Sequence, residues 1–160
     1  GGATLAAAAA GAQVTHVDAS KGMVTWAKEN AVSSGLKDAP IRWLVDDCTK
    51  FVEREIRRGN TYDAIIMDPP SYGRGPKGEI WKIEDMIHPL IRLCTKILSK
   101  DAIFFLVNSY TTGLAPAVLT YMIATELKPW GGTVESEEIG LPVTESGLVL
   151  PCGASGRWCR

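Results

Sequence analysis

The sequence contains no run of about eighteen consecutive apolar residues, the length that a membrane-spanning helix needs. Its start is rich in glycine and alanine but lacks the basic segment that opens a secretory signal peptide. We therefore expect neither a transmembrane helix nor a signal peptide, and a cytoplasmic location.

The cysteines form no CxxC pair and show none of the spacings typical of zinc sites. They are Cys48, Cys94, Cys152 and Cys159. We expect free thiols in a reducing compartment and no metal site.

Two sequence motifs of other enzyme classes are also missing. No G-x-S-x-G elbow occurs, which disfavours serine hydrolase chemistry. No G-x-G-x-x-G fingerprint is visible, although its expected position coincides with the start of the chain. A dinucleotide-binding dehydrogenase domain, or a non-catalytic Rossmann module, therefore stays open as an alternative that a nicotinamide titration would test.

A surplus of positive charge is missing as well, since the formal net charge is −1. Proteins that bind nucleic acid usually carry a basic surplus that neutralises phosphates. Binding to nucleic acid would therefore require a local basic patch or a separate domain.

What is present is ordinary globular composition, with 46% hydrophobic and 22% charged residues. We expect one domain over residues 1–160. Strands are predicted at 14–18, 41–45, 62–67, 102–107, 133–141 and 147–150, and helices at 4–10, 20–35, 49–58, 82–98 and 115–127. Within the 82–98 helix, Pro89 predicts a kink or the start of a second helix. The closing segment 151–158 reads as a loop.

This alternation predicts an α/β fold: a Rossmann-like, doubly wound, mostly parallel sheet with helices on both faces and an antiparallel C-terminal hairpin at its edge. Gly1 and Gly2 directly precede the first helix, where glycines often form a site for the polar end of a ligand. The central strand that normally comes before such glycines is missing, so we expect this chain to be a fragment of a longer protein.

Polar residues end four successive predicted strands, at Asp18, Asp47, Asp68 and Asn108. The carboxyl ends of parallel strands lie at one rim of a sheet, which is where open α/β folds bind ligands. Four polar ends on one rim predict a nucleoside pocket with a reaction site beside it. Alternatively, Asp47 caps the following helix. His16, within a strand and without a partner pattern, is interpreted as a structural residue.

The most distinctive segment is Asp68-Pro69-Pro70-Ser71-Tyr72, which follows a buried strand. The segment from Gly73 to Trp81 is rich in glycine and predicts a loop. Arg74, Lys77 and Lys82 surround Trp81, and cations beside an aromatic ring suit a phosphate and a base. The alternative is a solvated loop with one anchoring tryptophan.

Several segments together resemble the class I S-adenosylmethionine (SAM)-dependent methyltransferases, and in particular the bacterial 23S rRNA methyltransferase-like proteins. The resemblance covers nearly the whole chain. It is carried by residues 1–4, 16–20, 46–48, 68–72 and 150–153.

This resemblance implies that SAM is the methyl donor and S-adenosylhomocysteine the product. Gly1 and Gly2 would contact the methionine part, and the Asp18-Ala19-Ser20 turn would hold the ribose hydroxyls. Asp47 would accept a hydrogen bond from the adenine amine, and Cys48 would offer its backbone N–H to the ring.

On the acceptor side, the resemblance implies that Asp68 and the Pro69 carbonyl face the reacting atom, with Pro70 completing the catalytic segment. Tyr72 would stack on a planar substrate. Relatives that methylate carbon 5 of cytosine need a cysteine nucleophile. Neither the strand end at Asn108 nor Ser71 supplies one.

We therefore expect transfer to a nitrogen of an rRNA base, with RNA held by the Gly73–Trp81 loop and by an N-terminal domain that this chain lacks. A protein side-chain amide or a small amine is the alternative acceptor, because the charge is near neutral.

Overall fold

A computed structural model describes residues 1–75, 78–111 and 113–160 of the chain. These residues form two compact units, Gly1–Arg58 and Gly59–Arg160. Each unit combines helices with paired strands, so the α/β class expected from the sequence is confirmed. The assignment of residues 1–160 to one catalytic domain stays a prediction.

The first unit contains two parallel strands and three helices. Its elements are α1 (Gly2–Ala9), β1 (Val14–Asp18), α2 (Lys21–Ser33), β2 (Ile41–Val45) and α3 (Cys48–Arg58). The strand register runs from Val14 opposite Ile41 to Asp18 opposite Val45, so the carboxyl ends of both strands lie side by side. Both strands have the bounds that the sequence predicts.

Helix α2 begins where its sequence indicates, because the Ser20 hydroxyl accepts a hydrogen bond from the backbone N–H of Met23 at 3.3 Å. It buries Val24, Ala27 and Ala31, which share one face of the helix. The helical pattern also predicts burial of Met23, but this prediction is wrong, because Met23 belongs to the neighbouring face and is 44% exposed.

The second unit contains six strands in two sheets. Its elements are β3 (Ala64–Met67), β4 (Tyr72–Arg74), β5 (Ile80–Lys82), α4 (Ile83–Thr95), β6 (Phe104–Ser109), α5 (Pro116–Leu127), a 3₁₀ turn (Lys128–Trp130), β7 (Thr133–Pro142) and β8 (Val149–Cys159). The larger sheet has the order β3-β6-β8-β7, with β3 parallel to β6 and the other neighbours antiparallel. The C-terminal hairpin is therefore antiparallel, and β7 forms the edge as predicted.

The core of this unit consists of apolar side chains from the sheet and from helices α4 and α5. Phe105, Val107 and Trp158 of the sheet are almost fully buried, as are Ile91 of α4 and Ile123 of α5. Cys94 is buried in the same core, as the helical periodicity predicts.

The segment after Tyr72, predicted to be a loop, instead contains the short antiparallel strands β4 and β5. Gly73 pairs with Trp81 across this hairpin. The loop prediction was wrong for residues 73–74 and 80–81 because a glycine-rich segment can also form a short hairpin around a turn. Pro76 and Lys77 lie outside the described residues.

Helix α4 continues through Pro89, so neither a second helix nor an interruption is present at that residue. A proline removes one backbone hydrogen bond inside a helix. The buried positions Ile83, Ile87, Ile91 and Cys94 supply packing on both sides of Pro89, which sustains the helix.

The closing segment 151–158, predicted to be a loop, belongs to β8. It lies between β6 and β7, so both neighbours satisfy its backbone groups. Its glycines permit close packing: a Cβ atom added to Gly156 would lie 2.8 Å from the side chain of Ile123. The composition indicated a loop because glycines are frequent in turns. Here the glycines instead allow close packing inside the sheet, which is why the prediction failed.

Candidate functional site

In the first unit, the turn after β1 fixes the carboxylate of Asp18. Its Oδ1 accepts a hydrogen bond from the backbone N–H of Ser20 at 2.7 Å, while Ser20 in turn caps α2. The other oxygen, Oδ2, makes no hydrogen bond to any residue within the described ranges. Asp18, Ala19 and Ser20 therefore present one oriented carboxylate oxygen at the strand end.

The end of β2 leads directly into α3 through Asp47 and Cys48. Oδ1 of Asp47 accepts a hydrogen bond from the backbone N–H of Lys50 at 3.0 Å, which confirms the capping interpretation. As the first residue of α3, Cys48 carries a backbone N–H without a partner inside the helix.

Cys48 lies close to both acids of this rim. Burial raises the pKa of its thiol, and the charges of Asp18 and Asp47 raise it further. Its Sγ lies 3.8 Å from the carbonyl oxygen of Val17. The structure thus brings together Asp18, Asp47 and Cys48, and keeps the thiol in its protonated, unreactive form.

Helix α1 begins at Gly2, and no side chain caps its first turn. The backbone N–H groups at this end can therefore receive the negative end of a ligand. A Cβ atom added to Gly1 would lie 2.6 Å from the Cβ of Ala27, so this position requires glycine. A nucleoside with an anionic tail fits the donors and acceptors that Gly1, Gly2, Asp18 and Cys48 offer.

His16 supports this unit from within β1. Its Nδ1 lies 2.8 Å from the Thr4 hydroxyl, and its ring centroid lies 5.0 Å from that of Trp43. Burial lowers its pKa, so the ring is neutral at pH 7. These contacts confirm the structural interpretation of His16.

In the second unit, three hydrogen bonds connect the segment from Asp68 to Tyr72 to other parts of the chain. The Trp81 indole donates to the Pro70 carbonyl at 2.6 Å, and the Ile83 N–H donates to the Ser71 carbonyl at 3.1 Å. The hydroxyl oxygens of Ser71 and Thr111 lie 2.7 Å apart.

The carbonyl of Pro69 differs from its two successors. No described residue donates a hydrogen bond to it. Proline at position 70 cannot donate from its own backbone, and it fixes the direction of the preceding peptide. The segment therefore presents one carbonyl acceptor whose partner must come from elsewhere.

Asp68 lies beside this carbonyl at the end of β3. Partial burial raises the pKa of its carboxyl group. Perturbed acids at strand ends are frequent in active sites, because they can accept and release protons near neutral pH.

Tyr72 lies on the β4–β5 hairpin and is 51% exposed. Its hydroxyl accepts a hydrogen bond from Nε of Arg74 at 3.0 Å. Arg74 and Lys82 are exposed on the same hairpin, while the hydrogen bond of Trp81 to Pro70 gives that tryptophan an anchoring role. The predicted contribution of Lys77 falls outside the described residues.

Sequence reasoning did not select two further residues near Asp68. Burial raises the pKa of the Tyr110 hydroxyl, as do the nearby charges of Asp68 and Cys152. Tyr110 immediately follows Asn108 and Ser109, a strand end that the sequence did indicate. Cys152 belongs to the segment 150–153 that carries the family resemblance, but its place near Asp68 could not be predicted, because the irregular pairing that brings it there is a long-range feature.

Membrane-spanning helices and metal clusters are both lacking in the described ranges. No helix in them is long and apolar enough to cross a membrane. No group of three or more His, Cys, Asp and Glu side chains in these ranges is arranged to hold a metal ion.

Comparison with known proteins gives matches to methyltransferases. A SAM-dependent methyltransferase of known structure from Agrobacterium tumefaciens is 42% identical with a TM-score of 0.91, and the match covers 99% of this chain and 52% of that one. Ribosomal RNA large subunit methyltransferase K of Neisseria meningitidis is 30% identical over 111 residues, which are 68% of this chain and 31% of that protein. Ribosomal RNA large subunit methyltransferase K/L of Pseudoalteromonas atlantica is 36% identical over 86 residues, 53% of this chain and 12% of that protein. No protein-family profile matches.

These likenesses confirm the fold as that of a class I SAM-dependent methyltransferase. The chain is also similar in sequence to the ribosomal RNA large subunit methyltransferases K and K/L, in agreement with the resemblance that its motifs indicate. It spans about half of the solved relative and less than a third of the two curated ones.

Proposed function

We propose that the protein transfers a methyl group from SAM to a nitrogen of a nucleic-acid base, and that the base belongs to rRNA. The observation that carries this proposal is the pairing of the Asp68 carboxyl group, with its raised pKa, and the unpartnered Pro69 carbonyl on a braced segment. The names of the similar proteins support both the donor and the RNA acceptor.

The first unit holds the donor. Oδ2 of Asp18 accepts from a ribose hydroxyl, and the uncapped N–H groups at the start of α1 bind the carboxylate of the methionine part. The remaining oxygen of Asp47 accepts from the adenine amine, and Cys48 donates its backbone N–H to the ring. Bound SAM supplies a methyl group activated by attachment to a sulfonium.

The second unit holds the acceptor. Asp68 and the Pro69 carbonyl accept hydrogen bonds from an amine, which directs the nitrogen lone pair away from them. Methylation adds a methyl group to that nitrogen and releases one proton. The Asp68 carboxylate accepts this proton and passes it to water, a role that its raised pKa favours. Positioning supplies most of the remaining acceleration.

RNA contacts extend to the β4–β5 hairpin, where Arg74 and Lys82 are exposed near Trp81. The absence of a basic surplus means that these cations are supplemented by parts of the full-length protein. An N-terminal RNA-binding domain, a first central strand and a cytoplasmic location remain predictions of the same proposal.

The test uses the full-length protein, with calorimetry of SAM and S-adenosylhomocysteine and transfer of tritiated methyl to unmodified 23S rRNA transcribed in vitro. We expect Asp18→Ala to weaken SAM binding on the order of 10-fold, as for the loss of a hydrogen bond to a charged group. Asp38→Ala, at an exposed site in the same unit, is the matched control.

Asp68→Ala should abolish transfer while SAM binding changes little. Equal losses of binding and turnover would contradict the assignment of Asp68 to the acceptor side. Absence of SAM binding by the full-length protein would refute the proposal itself. Transfer to protein or to small amines, with acceptor binding insensitive to salt, would identify the alternative acceptor class.

A further inference from the structure

The strand order places the ends of β3, β6 and β8 in one region of the second unit. Met67 pairs with Val107, so Asp68 lies one residue beyond that pair, level with Asn108. The 2.7 Å contact between the hydroxyls of Ser71 and Thr111 continues this neighbourhood past both strand ends. Tyr110 therefore lies on the chain segment beside the Asp68–Tyr72 segment.

Tyr110 directly follows the last residue of β6. The Thr111 N–H donates to the Ser109 hydroxyl at 3.2 Å, and Ser109 itself is buried. The side chain of Tyr110 is 52% exposed, and its hydroxyl makes no hydrogen bond to a residue in the described ranges. An aromatic ring is thus presented at the end of β6 with both ring and hydroxyl available.

Strand β8 reaches the same place through a bulge. Ile139 pairs with Gly153 and Gly140 pairs with Pro151, so Cys152 is an extra residue without a partner in the ladder. Its thiol donates to the Ile139 carbonyl at 3.4 Å. Bulges of this kind re-aim a side chain and are frequent beside active sites.

Gly153 packs the bulge against the backbone of Ser109 and Tyr110. A Cβ atom added to Gly153 would lie 2.1 Å from the Ser109 carbonyl oxygen and 3.1 Å from the Cα of Tyr110. Only glycine permits this approach, which sets Cys152 next to Tyr110. The influence of both Asp68 and Cys152 on the pKa of the Tyr110 hydroxyl agrees with this arrangement.

We propose that Tyr110 and Cys152, together with Asp68, form the acceptor-facing wall of the site, and that this wall selects a flat ring carrying an N–H group at its edge. The acceptor ring stacks against Tyr110, and its N–H points to Asp68. Cys152 has a small side chain, which leaves room for the ring beside Tyr110. This inference rests on the proposed function, because the ring is the methyl acceptor.

The kinetic test measures KM for unmodified 23S rRNA, kcat and SAM affinity in the full-length protein. Tyr110→Ala should raise KM on the order of 10-fold, as expected for the loss of one stacked base. Tyr110→Phe should have the KM of the wild-type protein, because the aromatic ring remains. Tyr121→Ala, an exposed tyrosine on α5, is the control.

For the bulge, Cys152→Met should raise KM by crowding the wall, whereas Cys152→Ser should be tolerated. Cys159→Ser is the matched control, since Cys159 pairs with Phe104 at the opposite end of the same strand. SAM affinity and the melting temperature should stay unchanged in all these variants. A rise in KM for Tyr110→Phe equal to that for Tyr110→Ala would overturn the stacking role. A complete loss of turnover in Cys152→Ala with RNA still bound would overturn the positioning role of the thiol.

A readout without acceptor separates this inference from the proposed function. NMR titration of tyrosine-labelled protein, with Tyr110 assigned through Tyr110→Phe, should show a lower Tyr110 pKa in Asp68→Asn, since a nearby negative charge is removed. An unchanged Tyr110 pKa would overturn the arrangement whatever the acceptor. A lowered Tyr110 pKa in a protein that transfers no methyl to RNA would support the wall and refute the proposed function alone.

Discussion

Trp81 donates its indole N–H to the carbonyl oxygen of Pro70 at 2.6 Å, which ties the β4–β5 hairpin to the segment that carries Asp68. Of the three consecutive carbonyls at residues 69–71, this bond and that of Ile83 occupy the second and third. No residue in the described ranges donates a hydrogen bond to the first. Trp81, expected either to stack on RNA or to anchor its loop, therefore fixes the segment that we propose to face the methyl acceptor.

Replacing Trp81 by Phe should test this bracing. The variant keeps an aromatic ring but loses the donor, which costs about 1 kcal/mol for a hydrogen bond of this kind. We expect kcat to fall on the order of 10-fold, because small displacements of a reacting group are costly, while SAM affinity is unchanged. Trp26→Phe, at a tryptophan 57% exposed on α2, is the control. Unchanged kcat together with weakened RNA binding would instead indicate a stacking role for Trp81.

The pH dependence of methyl transfer should reveal the environment of Asp68. Only the carboxylate can accept a hydrogen bond and then a proton, so activity should fall as pH decreases through the pKa of Asp68 in the folded protein. Because partial burial raises that pKa, the acidic limb should lie above the ordinary value of 3.8. The measurement is kcat against pH, with Asp101→Asn as a control at an exposed acid. Asp68→Asn should remove both the limb and most of the activity; a limb that persists in this variant would belong to another group.

The local parts of the fold were predictable from the sequence. Strands β1 and β2 are short segments that contain apolar residues, β1 ending on Asp18 and β2 followed by Asp46, and both have the expected bounds. The cap of α2 at Ser20 and the buried stripe of α4 follow from nearest-neighbour chemistry along a helix. Both features depend only on residues a few positions apart in one helix, and such spacings can be read directly from the sequence.

The remaining features depend on partners far along the chain. Strand β8 has loop composition, but its neighbours β6 and β7 convert glycines into packing positions. The acids Asp18, Asp47 and Asp68 were visible in the sequence because each lies at or just after the end of its own strand. The position of Cys152 was not visible, since it reaches Tyr110 only through a bulge in the β7–β8 ladder.

The proposed RNA contacts of the β4–β5 hairpin predict a change in salt dependence. Arg74→Gln or Lys82→Gln should each weaken RNA binding at all sequences and reduce the slope of log K against log salt by about 0.7 to 0.9. Binding of 23S rRNA transcript to the full-length protein across a salt series gives this slope. Lys100→Gln is the control, because that side chain is 90% exposed in another part of the unit. Equal slopes for the wild type and both hairpin variants would exclude the hairpin from the RNA interface.

Stability should depend on pH through Glu126 of α5. Its carboxylate accepts hydrogen bonds from Arg92 at 2.9 and 3.0 Å and lies 2.8 Å from Nε2 of His88. The hydrogen bond from Arg92 lowers the pKa of Glu126 most, and that to His88 lowers it further, while burial opposes both. A carboxylate whose pKa is lower in the folded protein stabilises the fold above its ordinary pKa of 4.5, and this contribution is lost as pH falls through the folded value.

Glu126→Gln should therefore melt a few degrees below the wild type at pH 7, and the difference should shrink below about pH 4. Calorimetric melting of the full-length protein at both pH values measures it. Glu135→Gln, which removes an exposed acid that lies 3.7 Å from Arg157, should show a smaller effect because water screens such a pair. A difference between Glu126→Gln and wild type that is independent of pH would show that packing of the side chain, and not its charge, links α4 to α5.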